Sequence, residues 1–124
     1  MSKKLKPLEL ADAHHLKVAE GWIGSGDFVS ACGKLEEISP EARAHPAVLL
    51  LRCHIYGETE RWDMAAKVSD TLAKILPESA SVWISFAYFT RRRNGGGIPP
   101  AKNILLEAAP KFPREFLFPY NCVP

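Results

Sequence analysis

Residues 46–77 read PAVLLLRCHIYGETERWDMAAKVSDTLAKILP, and they hold two runs at helical spacing on either side of a polar turn. Val48, Leu49, Leu51, Arg52, Ile55 and Tyr56 form the first run, and Trp62, Ala65, Ala66, Ser69, Leu72, Ala73, Ile75 and Leu76 the second. Each is about three to four turns long, so the segment Gly57–Arg61 between them reads as the bend of a helix hairpin. Pro77 then ends the second helix, because proline offers no backbone N–H and its ring clashes with the preceding turn.

The sequence on both sides can be laid on this hairpin at a nearly constant offset. Ala31, Ala65 and Ala101 take equivalent places, with the second interval longer than the first by two positions. Ala65 stands before Pro77 at the same distance as Ala101 before Pro113. A helix-turn-helix period of about 34 residues marks one class of repeat, and these intervals fit it. Small residues fall where the paired helices must approach most closely (Ala19, Cys53 and Ala87; Ala31, Ala65 and Ala101), with bulky ones beside them, as interlocking side chains require.

On these residues the chain resembles the tetratricopeptide repeat (TPR) family, whose pattern is W-x2-L-G-x2-Y in the first helix, A-x3-F in the second and a closing proline. The first repeat offers His15, Val18, Ala19 and Trp22, then Ala31, Leu35 and Ile38. The second offers Leu49, Arg52, Cys53 and Tyr56, then Ala65, Ser69, Leu72 and Pro77. The third offers Trp83, Phe86, Ala87 and Thr90, then Ala101, Leu105, Ala108 and Pro113. Arg52 departs from a usual leucine, Ser69 from a usual aromatic residue, and Pro40 closes the first repeat early. The resemblance implies an all-α fold, a right-handed α-α superhelix of three TPR-like hairpins with an apolar C-terminal extension. Its segments would be a basic N-terminal arm at 1–7, repeats at about 12–45, 46–79 and 80–113, and a cap or the start of a fourth repeat at 114–124.

Composition sets the class. The 124 residues suit one domain of modest core, and 47% hydrophobic with 24% charged residues is ordinary for a folded globular chain. A net charge of +2 does not by itself imply nucleic acid. Three cysteines (Cys32, Cys53 and Cys122) without paired spacing fit a reducing compartment better than a disulfide framework. The opening MSKKLKPLEL has lysines but no apolar stretch of secretory length after them, and no apolar run is long enough to span a bilayer, so a cytoplasmic location is expected.

Taken in order, the spacing predicts helices over about 8–23, 28–38, 46–57, 61–76, 80–93 and 100–109, with Asp27 capping the second and Ser79 or Ser81 the fifth. Leu16, Val18, Ala19 and Trp22 are expected to face the partner helix, and Asp12, Lys17 and Glu20 to form the polar side. The connector 39–45 is long enough for one extra turn at Ser39–Pro40–Glu41. The fifth helix is apolar on most sides, so it belongs between neighbours. The turn 94–100 is two positions longer than its counterpart, which accounts for the longer second interval.

The resemblance also implies that first helices line a concave groove. By register its lining falls on Leu16 and Glu20 of the first repeat, Leu50 and His54 of the second, and Ile84, Tyr88, Arg91 and Arg92 of the third. Apolar and aromatic positions with a few charges suit an extended peptide or a partner's helix. The bland alternative is that Leu16, Leu50 and Ile84 only pack between adjacent repeats. One TPR subset grips a terminal carboxylate with lysine, asparagine and arginine, and here Leu16, Glu20 and Leu51 stand in those places, so that clamp is not matched.

Other signals are weaker. Arg91–Arg93 before a glycine run suit a helix C-terminus, where cations oppose the dipole, although arginines also bind phosphates. With Lys3, Lys4 and Lys6 they would form a nucleic-acid surface, but Glu36, Glu37, Glu58 and Glu60 interrupt any continuous basic face. No Walker spacing occurs, and His14–His15 and Cys53–His54 are adjacent pairs that diverge by about 100° on a helix, so neither a metal nor another cofactor is expected. No nucleophile elbow or triad signature points to an enzyme. Phe116, Leu117, Phe118 and Tyr120 leave three accounts of the C-terminal residues: they fold back over the sixth helix, they pack against another chain in self-association, or the array continues beyond them. The expected function is a non-enzymatic protein–protein interaction scaffold that holds a peptide or protein segment in its groove. The alternative is a structural element that assembles through its apolar tail into a homo-oligomer.

Overall fold

The offset found in the sequence recurs in the helices. The computed structural model describes residues 7–112, and all regular structure among them is helical. The α-helices are α1 (Leu10–Gly24), α2 (Phe28–Glu36), α3 (Pro46–Glu58), α4 (Trp62–Ile75), α5 (Ala80–Arg92) and α6 (Ile98–Ala108). Short 3-10 turns follow α2 at Pro40–Ala42 and α6 at Ala109–Lys111. Helices α1, α3 and α5 end at Gly24, Glu58 and Arg92, at equal intervals along the chain. The starts of α2 and α4, Phe28 and Trp62, are separated by that same interval, and α6 begins at Ile98, two positions later than it would require. None of the described helices is long and apolar enough to cross a membrane.

The local chemistry explains most boundaries. The Asp27 carboxylate accepts the Ser30 N–H at 3.0 Å and the Ser30 hydroxyl at 2.7 Å, which satisfies a free donor at the start of α2. Arg43 donates through Nε to the Ile38 carbonyl at 3.1 Å and through Nη2 to the Glu36 carbonyl at 3.0 Å, closing the other end of α2. The extra turn expected in the connector is the 3-10 turn Pro40–Ala42. Helix α6 starts at Ile98, earlier than expected, because Pro99 and Pro100 fit a first turn whose N–H groups have no intrahelical acceptor. One expected cap is absent: Ser79 stands at the start of α5, but its hydroxyl lies 3.2 Å from that of Ser81 rather than on a helix N–H.

Contacts divide the chain into two compact units, with the boundary between Leu51 and Arg52 inside α3. In the first, α1 packs on α2, and Ala19, Ala31, Leu35, Ile38 and Val48 are buried. In the second, α5 packs against both α4 and α6, as its wide apolar surface required. Its core holds Ile55, Ala65, Leu72, Val82, Trp83, Ala87, Ala101 and Ala108. The Trp83 indole N–H donates to the Pro77 carbonyl at 3.0 Å, which fixes the α4–α5 turn. The small residues singled out by the offset, Ala19, Cys53, Ala87, Ala31, Ala65 and Ala101, are all buried.

Two expectations for α1 are corrected. Trp22 is 41% exposed instead of facing the partner helix, and Asp12 is buried instead of lying on the polar side. The connector causes the second difference. Ser39 brings a backbone N–H and a hydroxyl to the Asp12 carboxylate, at 2.9 and 2.6 Å, so the charge is buried with two donors.

Candidate interaction surface

Helix α5 divides cleanly. Val82, Trp83, Ala87 and Thr90 are buried against its neighbours, whereas Ser81, Ile84, Tyr88, Arg91 and Arg92 are exposed. The exposed positions recur every three or four residues, so they make one stripe along the helix. Ile84 at 40% and Tyr88 at 45% exposure are large apolar side chains on that stripe. His54 on α3 is likewise exposed. In the first unit Leu16 is half-buried and Glu20 exposed on α1, and Leu50 on α3 is 46% exposed. Phe116, Leu117, Phe118 and Tyr120, and the lysines of the N-terminal arm, lie outside the described residues.

The stripe ends in an aromatic cluster that sequence reasoning did not assemble. Tyr88 and Arg92 are one turn apart on α5, and Trp62 opens α4. The Arg92 guanidinium lies over the Tyr88 ring at 4.6 Å and over the Trp62 ring at 5.3 Å from the centroids, both within the range of cation–π attraction. Trp62 meets the Tyr88 ring edge-on, with centroids 6.1 Å apart, and stacks on Phe89 at the same separation. Gly57 on α3 makes room for this: a Cβ there would come within 3.0 Å of Phe89 Cζ. The residue types were visible, but the pairing of Trp62 with Tyr88, from different helices, was not. Only the one-turn spacing of Tyr88 and Arg92 was a local signal.

Beside the cluster is an open cleft of about 360 Å³, lined by Glu60, Arg61, Trp62, Asp63, Met64, Arg92 and Asn94. The Asp63 carboxylate accepts the Asn94 N–H at 3.0 Å and so braces the end of α5 against the start of α4. Glu60 has a left-handed backbone, φ 59°, the conformation that Gly26 adopts at the equivalent place in the preceding hairpin, φ 83°. A side chain costs energy there and glycine does not. Arg61 occupies the place before α4 that Asp27 occupies before α2, and its side chain makes no capping hydrogen bond.

Behind the surface, Cys53 of α3 lies 3.1 Å from the Ser69 hydroxyl of α4. Burial pushes the Cys53 thiol up from its ordinary pKa, opposed by the Ser69 hydrogen bond. Neither Cys32 nor Cys53 is bridged. The adjacent His14 and His15 rings stand 6.0 Å apart and are tilted by 58°. Among the described residues no three His, Cys, Asp or Glu side chains are grouped to hold a metal ion.

Comparison with family models, curated proteins and solved structures finds no match to this chain.

Proposed function

We propose that the chain is a non-enzymatic, cytoplasmic scaffold for protein–protein interaction, built as a right-handed superhelix of three TPR-like hairpins whose first helices hold a peptide or protein segment. The exposed stripe of α5 carries this reading. A helix packed on two sides, yet presenting Ile84, Tyr88, Arg91 and Arg92 outward, has apolar area and charge available to a partner. The common spacing of helix ends and the burial of the small residues at the repeat offset support the repeat architecture. Binding on such a surface works by contact and preorganisation, since side chains already held by packing lose little entropy when a segment is captured.

The reading is tested by selecting peptides from a random displayed library on the full chain, then measuring the affinity of the selected peptides for Ile84→Ala and Tyr88→Ala. Loss of about tenfold or more in either variant, with unchanged melting, is expected of an anchor residue. Selected peptides that bind both variants as well as the parent chain would remove the α5 stripe from the function.

A second reading, assembly into a homo-oligomer, is favoured by α6. Ile98 and Leu106, about two turns apart, are 62% and 53% exposed on this helix. Sedimentation over a range of concentrations, for the full chain and for an Ile98→Ser, Leu106→Ser variant, decides it. A mass that rises with concentration in the parent alone supports assembly, and a concentration-independent monomer in both rejects it.

A further inference from the structure

The charges at the end of the α5 stripe identify a class of partner. Arg92 is held over two rings, and no hydrogen bond or ion pair to its guanidinium exists among the described residues. Contact with aromatic rings uses none of the guanidinium N–H groups as ion-pair donors, and those donors match the two oxygens of a carboxylate. Arg61 lines the same cleft and is also without an ion pair among the described residues. Of the two cleft carboxylates, Asp63 is engaged by the Asn94 N–H. The lining thus holds two arginines without an ion pair and two carboxylates, one of which already accepts a hydrogen bond. Trp62 and the 43% exposed Met64 add an apolar floor beside the guanidinium groups.

We infer that the Arg61–Arg92 cleft binds an acidic segment of a partner protein, with an Asp or Glu carboxylate on the guanidinium edges and a neighbouring apolar side chain against Trp62 and Met64. This rests on the scaffold reading and names its partner chemistry. Charge complementarity selects the acidic class: both cleft arginines are without an ion pair among the described residues, whereas the Asp63 carboxylate is already engaged by the Asn94 N–H. The cation–π contacts with Trp62 and Tyr88 hold Arg92 in advance, so the pairing costs less ordering than a contact to a freely moving arginine. The position also differs from a groove clamp built on first helices alone, because Arg61, Trp62 and Met64 belong to the turn before α4 and its first residues.

The test uses the full chain and a charge-reversed Arg61→Glu, Arg92→Glu variant, each panned against the same random twelve-residue peptide library. Peptides selected by the parent should be enriched in Asp or Glu next to Leu, Ile, Phe or Trp, and the reversed variant should lose them by tenfold or more while selecting Lys or Arg. A milder Arg92→Lys variant keeps the charge but not the planar fork, and its affinity for a parent-selected acidic peptide should fall several-fold with melting unchanged. Peptides selected without acidic enrichment, or retained by the reversed variant, overturn this inference and leave the scaffold reading standing. Failure of the parent to select any peptide overturns both. Displacement of the acidic peptide by a twelve-nucleotide single strand at equal strength would assign the cleft to phosphate and overturn the carboxylate assignment.

Discussion

Ser39 gives both of its polar hydrogens to Asp12, from its backbone N–H at 2.9 Å and its hydroxyl at 2.6 Å. The bonds tie α1 to the connector after α2 and leave the carboxylate charged inside the first unit. The Ser39 side-chain bond, then the Ser39 backbone bond, hold the Asp12 carboxyl below the ordinary aspartate value of 3.8, and the His15 imidazole acts in the same direction. A carboxyl whose pKa is lower in the folded state stabilises the fold fully above its unfolded value. That contribution is lost as pH falls through the lower, folded value. Chemical unfolding at steps from pH 5 to pH 2 should therefore show stability dropping below about pH 4. Asp12→Asn should be less stable at neutral pH and show a shallower acid decline, with Asp27 supplying part of what remains.

Cys53 and Cys32 should differ in reactivity. The thiolate is the reacting form, and burial at 8% exposure disfavours it in Cys53, whereas Cys32 is half-buried. Timed alkylation followed by peptide mass mapping should label Cys32 first, and Cys53 only at the rate of unfolding. Equal labelling rates in native buffer would contradict the packing of α3 on α4 around Ser69.

Glu60 is a place where the chain can be stabilised. Its left-handed backbone costs a non-glycine residue about 1 kcal/mol relative to glycine, so Glu60→Gly should raise the urea midpoint accordingly. The same substitution removes one of the two carboxylates that line the cleft with Arg61 and Arg92. Acidic peptides should then bind the variant at least as well as the parent.

Two alanine substitutions at glycines should have opposite signs. Gly21 lies inside α1 with no atom within 4 Å of an added Cβ, so Gly21→Ala should stabilise by roughly 0.5–1 kcal/mol. A Cβ on Gly96 would collide with the Thr90 carbonyl oxygen, a backbone atom that cannot swing aside. Gly96→Ala should destabilise by about 1–3 kcal/mol, measured in the same denaturant titration.

The helices were legible because their signals are local. Apolar spacing, Asp27 before Phe28, Pro46 at the start of α3 and the glycine-rich run after Arg93 each act within a few residues of the boundary they set. The candidate surface was legible in part. Register marked Ile84, Tyr88 and Arg92, and all three are exposed, but it passed over Trp62, Met64 and Arg61 as helix and turn residues. Nothing in the spacing reported that the Trp62 ring opening α4 lies within 5.3 Å of the Arg92 guanidinium ending α5. Asp12 was misread for the same reason, since its two donors come from Ser39.

By itself, the sequence determined that the described chain is helical, where the helices lie to within about two residues at each end, and that their pattern recurs at a nearly constant offset, because propensity, capping and apolar periodicity act within one or two turns. Tertiary structure alone decided which charges are buried with partners, which aromatic rings meet, and which face of α5 stays open. Those outcomes depend on which side chains distant in the chain come within a few ångströms of each other, and neither composition nor spacing carries that distance.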